Sequence, residues 1–457
     1  MSLLNIGVSA LTATQTSLAT TSHNISNVNT EGYNRQRTEH VTQLPDFIGN
    51  RFIGTGVTVG SIERFYDSFL ASQVRTYTSQ STQAGTFFEF SKQVDDLLGS
   101  EELGLNSGLE EFFNAVHEVA SDPTSISART VVLTSGELLA NRFNTLDQQI
   151  TAFDKQIDNS LSVSIKDINT ISQGIADLND AIIAVTGANS GTPNDLLDQR
   201  DQLINDLSKF ISVETLEEST GALSVFIGSG QALVVGTTQV DLHEIADIST
   251  TPPRVSIGYG SSMVDISAQL SGGSIGGSFQ VRADVIDSAR ADLDTLAAAV
   301  VTSFNTVQTA GVDLDGVAGT NFFDPTGTTA GTINVILTDP RGIAASSTTN
   351  PGVGNNENAL ALADLQTAKT LAAGTQSYAE AYGVIVADVA TRTHQADVSE
   401  QTQEGLLTQV ELRFDSKSGV NLDEEAANLI KLQQAYQAAS QIITVSNTIF
   451  NALIQAV

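Results

Sequence analysis

The side chains best suited to bind a transition metal or move a proton near neutral pH are the five histidines, His23, His40, His117, His243 and His394. They stand far apart in sequence and none falls in an HExxH or comparable ligand spacing, so surface and capping roles are expected. Asp313-Leu314-Asp315-Gly316 opens like a calcium loop, but the Asn, Asp and Glu ligands that should follow are missing, which leaves a tight turn. GGSIGGS at 272–278 lacks the Lys of a phosphate-binding loop and the glycine spacing of a dinucleotide site, and it reads as a bend between strands. Asn24-Ile25-Ser26 has the form of a glycosylation sequon but falls inside a helix terminus. The acidic pairs Glu101-Glu102 and Glu110-Glu111 fit helix surfaces. There is no cysteine, which removes disulfides, thiolate nucleophiles and Cys-based metal sites together. No catalytic residue, metal site or cofactor is therefore expected.

Charge narrows the function classes further. Acidic residues number 52 against 21 basic ones, for a formal net charge of -31. Such a surface repels phosphates, so neither nucleic acid nor an anionic membrane is an expected partner. His23 is the first even weakly basic side chain and Arg35 the first definite one, unlike a secretory signal peptide with its basic start. Thr, Ser, Gln and Asn interrupt every apolar run before it reaches spanning length. At 457 residues, with 40% hydrophobic content, the chain has material for roughly three packed domains.

The two ends share an unusual pattern. Leu4, Leu11, Leu18 and Ile25 lie seven apart, as do Leu422, Leu429, Tyr436, Ile443, Phe450 and Val457. Both series predict a helical seam. Yet every Asp, Glu, Lys and Arg lies between residues 31 and 431, so neither terminal helix has the charged face that normally keeps an exposed helix in water. Coverage on both faces follows: one terminus against the other, and both against neighbouring copies in a homo-oligomer. Asn421 with Glu424 marks a capping-box-like start, with Asp423, Glu424 and Glu425 at the positive end of the helix dipole. Gly32, flanked by Asn27, Asn29 and Asn34, marks the stop of the first helix.

That stop, NISNVNTEGYNRQ at 24–36, resembles the N-terminal signature of the bacterial flagellar axial proteins, the rod, hook and hook-associated family. Ile25, Ser26, Asn27, Asn29, Thr30, Gly32, Tyr33, Arg35 and Gln36 match the form it takes in the hook-filament junction branch, the hook-associated protein 1 type. PNDLLDQRDQL at 193–203 and SGVNLDEEAANL at 418–429 resemble the same branch. The resemblance covers both termini and the helical body, and is weakest over 311–356, where this chain is shorter than longer members. It implies a structural, non-enzymatic part of the extracellular flagellum. It further implies contacts with hook protein on one side and a neighbouring hook-associated junction protein on the other. Export would use the flagellar type III route without a cleaved signal peptide, with an export chaperone on the C-terminal helix. A hook or filament subunit is the nearest alternative, and PNDLLDQRDQL weighs against both. A secreted adhesin or hydrolase on an axial scaffold is the alternative from another class, and residues 211–356 offer it no convergent carboxylates or His-metal site.

The body reads as mainly α with β-rich insertions, an elongated multi-domain α+β chain of long antiparallel helices whose N- and C-terminal helices pair in a coiled-coil-like domain. Phe143, Ile150, Ile157, Ile171, Leu178 and Val185 define one seam of a helix from Ser127 to about Thr186, interrupted by Ser164. Leu146, Phe153, Ile168, Ile175 and Ile182 define a second. About sixty helical residues would span roughly 90 Å, with Gly174 as the one weak point. Pro193-Asn194 opens a helix to Phe210; Leu293 to Val307 and Tyr378 to Phe414 carry two more. LSVFI, ALVV, RVSIGYG and GGSIGGS, with Pro252-Pro253, give residues 211–280 a β-like character, and TINVIL is a strand candidate within 311–356. The expected division is therefore 1–36 with 420–457 for assembly, 37–210 with 281–310 and 357–419 as the long-helix body, and 211–280 with 311–356 as an outer β-rich insertion.

Overall fold

The computed structural model describes residues 3–48, 51–188, 191–250 and 253–455; Val457 of the C-terminal series and Pro252 lie outside them. The first helix, α1 (Leu3–Ser26), buries an unusual stripe of Gly7, Ala13, Thr14, Ser17, Thr20, Thr21 and Asn24. The hydroxyls of Thr14, Ser17 and Thr20 donate to carbonyls four residues back, at 2.7, 3.1 and 3.1 Å, so these polar groups are satisfied within the helix. Small, self-satisfied side chains let other backbones approach closely.

Four strands, three of them wholly within the stretch from 37 that was expected to belong to the long-helix body, precede the second helix. β1 (Gln36–Thr42), β2 (Asp46–Ile48), β3 (Arg51–Ile53) and β4 (Val57–Arg64) make an antiparallel β1–β4 ribbon, running from Gln36 opposite Arg64 to Thr42 opposite Val57, and a β2–β3 hairpin at its far end. The ribbon lies on α1, where the Ser17 hydroxyl meets Thr38 Oγ1 at 2.7 Å and His40 Nε2 at 2.9 Å. Neither face of this ribbon is apolar enough to register as a half-buried strand, so its placement depends on α1 rather than on its own alternation.

Next come α2 (Ser68–Leu98), α3 (Leu105–Ser121), α4 (Ile126–Gly187) and α5 (Asn194–Phe210). Asp67 caps α2 through the amides of Phe69 and Leu70, and Ser125 caps α4 through Ala128. At 62 residues α4 is the rod the seams predict, about 93 Å long at 1.5 Å per residue. Phe143, Leu146, Ile150, Ile157, Ile168, Ile175 and Ile182 are buried along it, and Ser164 is buried within the seam it interrupts. Gly174 does not break the helix; a side chain there would press Leu203 of α5.

The β-rich insertion holds a four-stranded antiparallel sheet of β5 (Val213–Glu217), β6 (Leu223–Ile227), β7 (Gln231–Val235) and β8 (Thr238–Gln239) in sequence order. Beside it β9 (Leu242–Asp247), β10 (Arg254–Tyr259) and β11 (Val264–Asp265) form a second sheet with β10 central. Strand structure stops there. GGSIGGS is not a bend between strands but the opening of α6 (Gly273–Val281), so the insertion ends short of residue 280. The reason lies in the fold: a Cβ at Gly277 would stand 2.6 Å from the Gln83 carbonyl oxygen and 2.8 Å from Thr86 Cβ on α2. Glycine is retained for a close helix crossing, which local propensity cannot reveal.

A single turn of π-helix, Arg282–Ile286, leads into α7 (Asp287–Ala310). TINVIL is not a strand; it contributes one isolated bridge, Phe323 to Val335, while the pairing in this region is between β12 (Gly311–Val312) and β13 (Ser346–Ser347). Phe112, Phe304, Phe322 and Phe323 interlock here with ring centroids 4.8–5.9 Å apart, closing one end of the core with side chains rather than with sheet. α8 (Glu357–Asp364) precedes α9 (Tyr378–Ser418), which starts in a reciprocal capping box between Ser377 and Glu380 and runs along α2. α10 (Leu422–Gln455) returns along α1. The result is the mainly α, elongated α+β chain with paired terminal helices that the sequence implies.

Candidate assembly interface

Where α10 meets α1, one line runs through Glu425 and Ala439, which are buried, and Leu432 and Ser446, which are half-covered. This line also has a seven-residue step, but it is displaced by three residues from the expected one. Leu429 and Ile443 lie beside it and are half-covered, whereas Leu422, Tyr436 and Phe450 are exposed. On α1 the series Leu4, Leu11, Leu18 and Ile25 is likewise half-covered, flanking the stripe of small residues. Gly7 makes room for this crossing: a Cβ on it would sit 2.9 Å from Ile443 Cγ1 and 3.2 Å from Ile442 Cγ2, so these two side chains seat on the glycine.

The same two helices are tied together at their other end by a polar knot. Asn24, 1% exposed, is its hub. Its Nδ2 donates to the Gln36 carbonyl at 2.8 Å and to Glu425 Oε2 at 3.2 Å, while its Oδ1 accepts from the Gln36 amide at 2.9 Å and the Tyr33 hydroxyl at 2.8 Å. A buried amide with this set of partners offers no surface for a glycan, and the sequon is accounted for. Arg35 forks onto Glu425 and Glu424 at 2.7 Å each, and its amide donates to the Ser418 carbonyl at 2.8 Å. The acidic start of α10 thus holds an arginine as well as facing the helix dipole. Asn421 Oδ1 caps that start through the amides of Asp423 and Glu424.

The third motif docks on the first. Asn34 donates to Asp198 through its amide at 3.0 Å and its side chain at 2.6 Å, and Gln36 Nε2 donates to Asp195 at 2.8 Å. Arg64 bridges Asp198 at 2.9 Å and Asp201 at 2.7 Å while lying over the Tyr66 ring. Gly32, at φ +76°, turns against Gln202, whose Oε1 would be 2.7 Å from any added Cβ. Burial holds the Asp198 carboxyl above the usual carboxylate range despite its donors. Burial, then the nearby Asp195, Asp198 and Glu425 charges, push the Tyr33 phenol well above the usual tyrosine range.

The signature residues thus divide. Gly32, Tyr33, Arg35 and Gln36 enter the knot; Asn27 bonds back to the His23 carbonyl and takes the Thr30 hydroxyl, finishing α1; Asn29 is exposed. Sequence reasoning missed Asn24 as the hub, and Arg64, Asp195, Asp198 and Asp201 as partners. The quoted motifs contained most of them, but nothing local shows which side chains face each other across 160 or 400 residues. Of the histidines, His23 lies 3.4 Å from Asp195, His40 on Ser17 and His117 on Gln366. Asp313 accepts from the amides of Asp315 and Val317, as a tight turn requires. Among the described residues no three His, Asp or Glu side chains are grouped to hold a metal, and no helix is long and apolar enough to cross a membrane.

Long stacked helices, two termini tied by a polar knot and a last helix with many exposed apolar side chains and no charge after Lys431 define a scaffold protein built for assembly. Comparison with known proteins makes this specific. Residues 91–323 match the family described as the flagellar hook-associated protein FlgK helical domain. Residues 4–34 match the flagella basal body rod protein family, and 413–456 the C-terminal family of the basal body rod FlgEFG proteins. The chain is 30% identical to flagellar hook-associated protein 1 of Escherichia coli K12, over 99% of both chains, and 28% identical to that of Bacillus subtilis 168, over 97% of this chain and 96% of the other. Its fold is similar to the flagellar hook junction protein FlgK from Burkholderia pseudomallei, with a TM-score of 0.69 at 18% identity, covering 76% of this chain and 100% of that one. The chain belongs to the flagellar hook-associated protein 1 family, and is a structural part of the bacterial flagellum at the hook-filament junction.

Proposed function

We propose that the chain forms its part of the junction by bundling α1 and α10 with the same helices of neighbouring copies, and performs no catalysis. The observation that carries this is the set of exposed apolar side chains along α10. Tyr436, Ile442, Val445, Ile449, Phe450 and Ile454 are exposed on a helix that has no charged residue after Lys431. Exposed apolar side chains in this number call for a cover, and α1 supplies it only in part, through the contact of Ile442 and Ile443 with Gly7. Leu4, Leu11, Leu18, Ile25, Leu422, Leu429 and Ile443 then have two neighbours each, one within the chain and one outside it. Residues 3–66 and 418–455 act as the assembly unit in this reading, the α2–α9 helices as the body and 211–271 with 311–356 as the outer insertion. Hook protein and a neighbouring junction protein would lie at its two ends, and an export chaperone on α10 would cover the same side chains before passage through the type III route.

Phe450→Asp tests the reading. Phe450 is 62% exposed, so the variant should fold and melt like the parent. In cells it should leave hooks intact, filament subunits released into the medium and the variant chain missing from hook tips. Normal filaments on Phe450→Asp cells would show that the exposed apolar side chains of α10 are not used between copies.

A further inference from the structure

The β2–β3 hairpin carries an apolar surface that its own chain leaves in water. Leu44 is 90% exposed and Phe52 74%, and the Phe47 and Phe52 rings pack on each other, 5.1 Å apart across the strand pair. Two short strands do not sustain such a surface by themselves. Arg51 beside them is exposed, with no ion-pair partner among the described residues. The hairpin stands where α1 begins: the Val57 amide next to it donates to Ser9 Oγ, and Gly56 faces Ile6.

At the opposite end of α1, about 36 Å away for 24 residues, residues 28–35 and 412–424 enclose a groove of about 890 Å³. Val28, Leu412 and Leu422 line it, and Leu412 is 66% exposed. Glu31, Asp415 and Glu424 edge it with negative charge. Its cations are already engaged, Arg35 by Glu424 and Glu425 and Lys417 by Asp67 at 2.8 Å. Asp415 has no ion-pair partner among the described residues.

An exposed apolar hairpin with an unpaired cation and an acid-edged groove that exposes Leu412 and Leu422 beside an unpaired carboxylate are complementary in charge and in the apolar groups they leave uncovered. Standing at opposite ends of one rigid helix, they cannot meet within a chain. We infer that the β2–β3 hairpin of one copy seats in the 28–35/412–424 groove of the next, with Phe52 against Leu412 and Leu422 and Arg51 on Asp415. The contact is heterologous, so it propagates from copy to copy instead of closing a pair. It rests on the assembly reading above and supplies that reading with a second, axial contact besides the α10 bundle.

The chain has no cysteine, which makes cross-linking clean. Phe52→Cys and Leu412→Cys are placed in one chain, expressed in the host bacterium in place of the parent, and purified hook-filament complexes are oxidised. The expected result is a ladder of multiples of 48.0 kDa that collapses on reduction, absent from either single variant. Adding Arg51→Asp should shorten the ladder several-fold, and Asp415→Arg on top of it should restore it. If complexes contain the double variant but give a single band, a dimer from Phe52→Cys alone, or a cross-link to a different protein, the proposal is overturned while the assembly reading stands. Should the double variant not reach the hook, Phe47→Cys with Leu422→Cys gives the same test at exposed neighbouring positions. Absence of the unmodified chain from these complexes would overturn the assembly reading, and this proposal with it.

Discussion

At the scale of single residues, the knot converts three sequence motifs into one joint. Every hydrogen-bond partner of Asn24 comes from a segment whose position is set by something else: Gln36 by the ribbon, Glu425 by the start of α10, Tyr33 by the turn at Gly32. Leaving one such group unpaired costs its full desolvation. The Tyr33 hydroxyl gives this a measurable form. Its folded pKa lies above the unfolded value of about 10, so its contribution is present in full below about pH 10 and is lost as the pH climbs from there toward the folded value. Tyr33→Phe should destabilise the chain by about 0.5–1.5 kcal/mol at neutral pH, the worth of one net hydrogen bond. Denaturant titrations of parent and variant should then converge above pH 10, as the parent pays to keep its phenol protonated; a gap that stays constant to pH 11 would show that Tyr33 is not held by this environment. What the sequence showed of this joint was its residue types, an Asn-rich stop and an acidic cap, because those are local signals. That Arg35 would fork onto the cap of a helix 390 residues away was not legible, since ion-pair partners leave no mark on each other's neighbours in the chain.

At the scale of elements, what could be read ahead depended on whether the buried stripe was apolar. α4 announces itself because Phe143, Leu146, Ile150 and Ile157 recur at helical spacing and end up buried. The terminal helices announce themselves too, but beside the half-covered Leu4, Leu11, Leu18 and Ile25 the fully covered residues of α1 are Gly7, Ala13, Thr14 and Ser17, which no hydrophobic pattern selects. α2 shows the same masking, with Arg75, Thr78, Ser79 and Ser91 among its buried residues, and it went unread. Two glycines show how packing, and not propensity, decides. Gly174 lies on α4 with only a flexible Leu203 methyl at 3.0 Å from its missing Cβ. Gly174→Ala should therefore be neutral or raise stability by up to about 1 kcal/mol, the helix-propensity gain. Gly277 on α6 faces the Gln83 backbone oxygen at 2.6 Å, and a backbone atom cannot swing aside. Gly277→Val should cost about 1–3 kcal/mol through overpacking at the α2 crossing. Thermal melts of the two variants decide it, and a Gly277→Val chain as stable as Gly174→Ala would mean that α6 does not press on α2 as closely as described.

At the scale of the whole molecule, burial is distributed very unevenly along its length. The core is continuous from α2 through α9, with α4 as its spine, and holds nearly all of the fully covered Leu, Ile, Val and Phe side chains. Among the described residues of α10, by contrast, Ala439 is the only buried hydrophobic side chain, and among those of α1 Ala13 is. A helix pair joined by such small contacts, with a knot at one end only, has little apolar area to hold it shut at about 25 cal/mol per Å². Its local opening should cost far less than unfolding the body. Hydrogen exchange on the free chain should accordingly show amides of residues 3–20 and 430–455 exchanging orders of magnitude faster than those of α4. The graded part of the expectation is the more demanding one: protection within α10 should fall away from the knot, with Glu425–Leu429 slowest and Ile449–Gln455 fastest. Assembly should abolish the gradient, because neighbouring copies would then cover Tyr436, Val445 and Phe450. Uniform, body-like protection of α10 in the free chain would mean that the pair is stable alone and that the exposed apolar side chains are not kept in reserve for other copies.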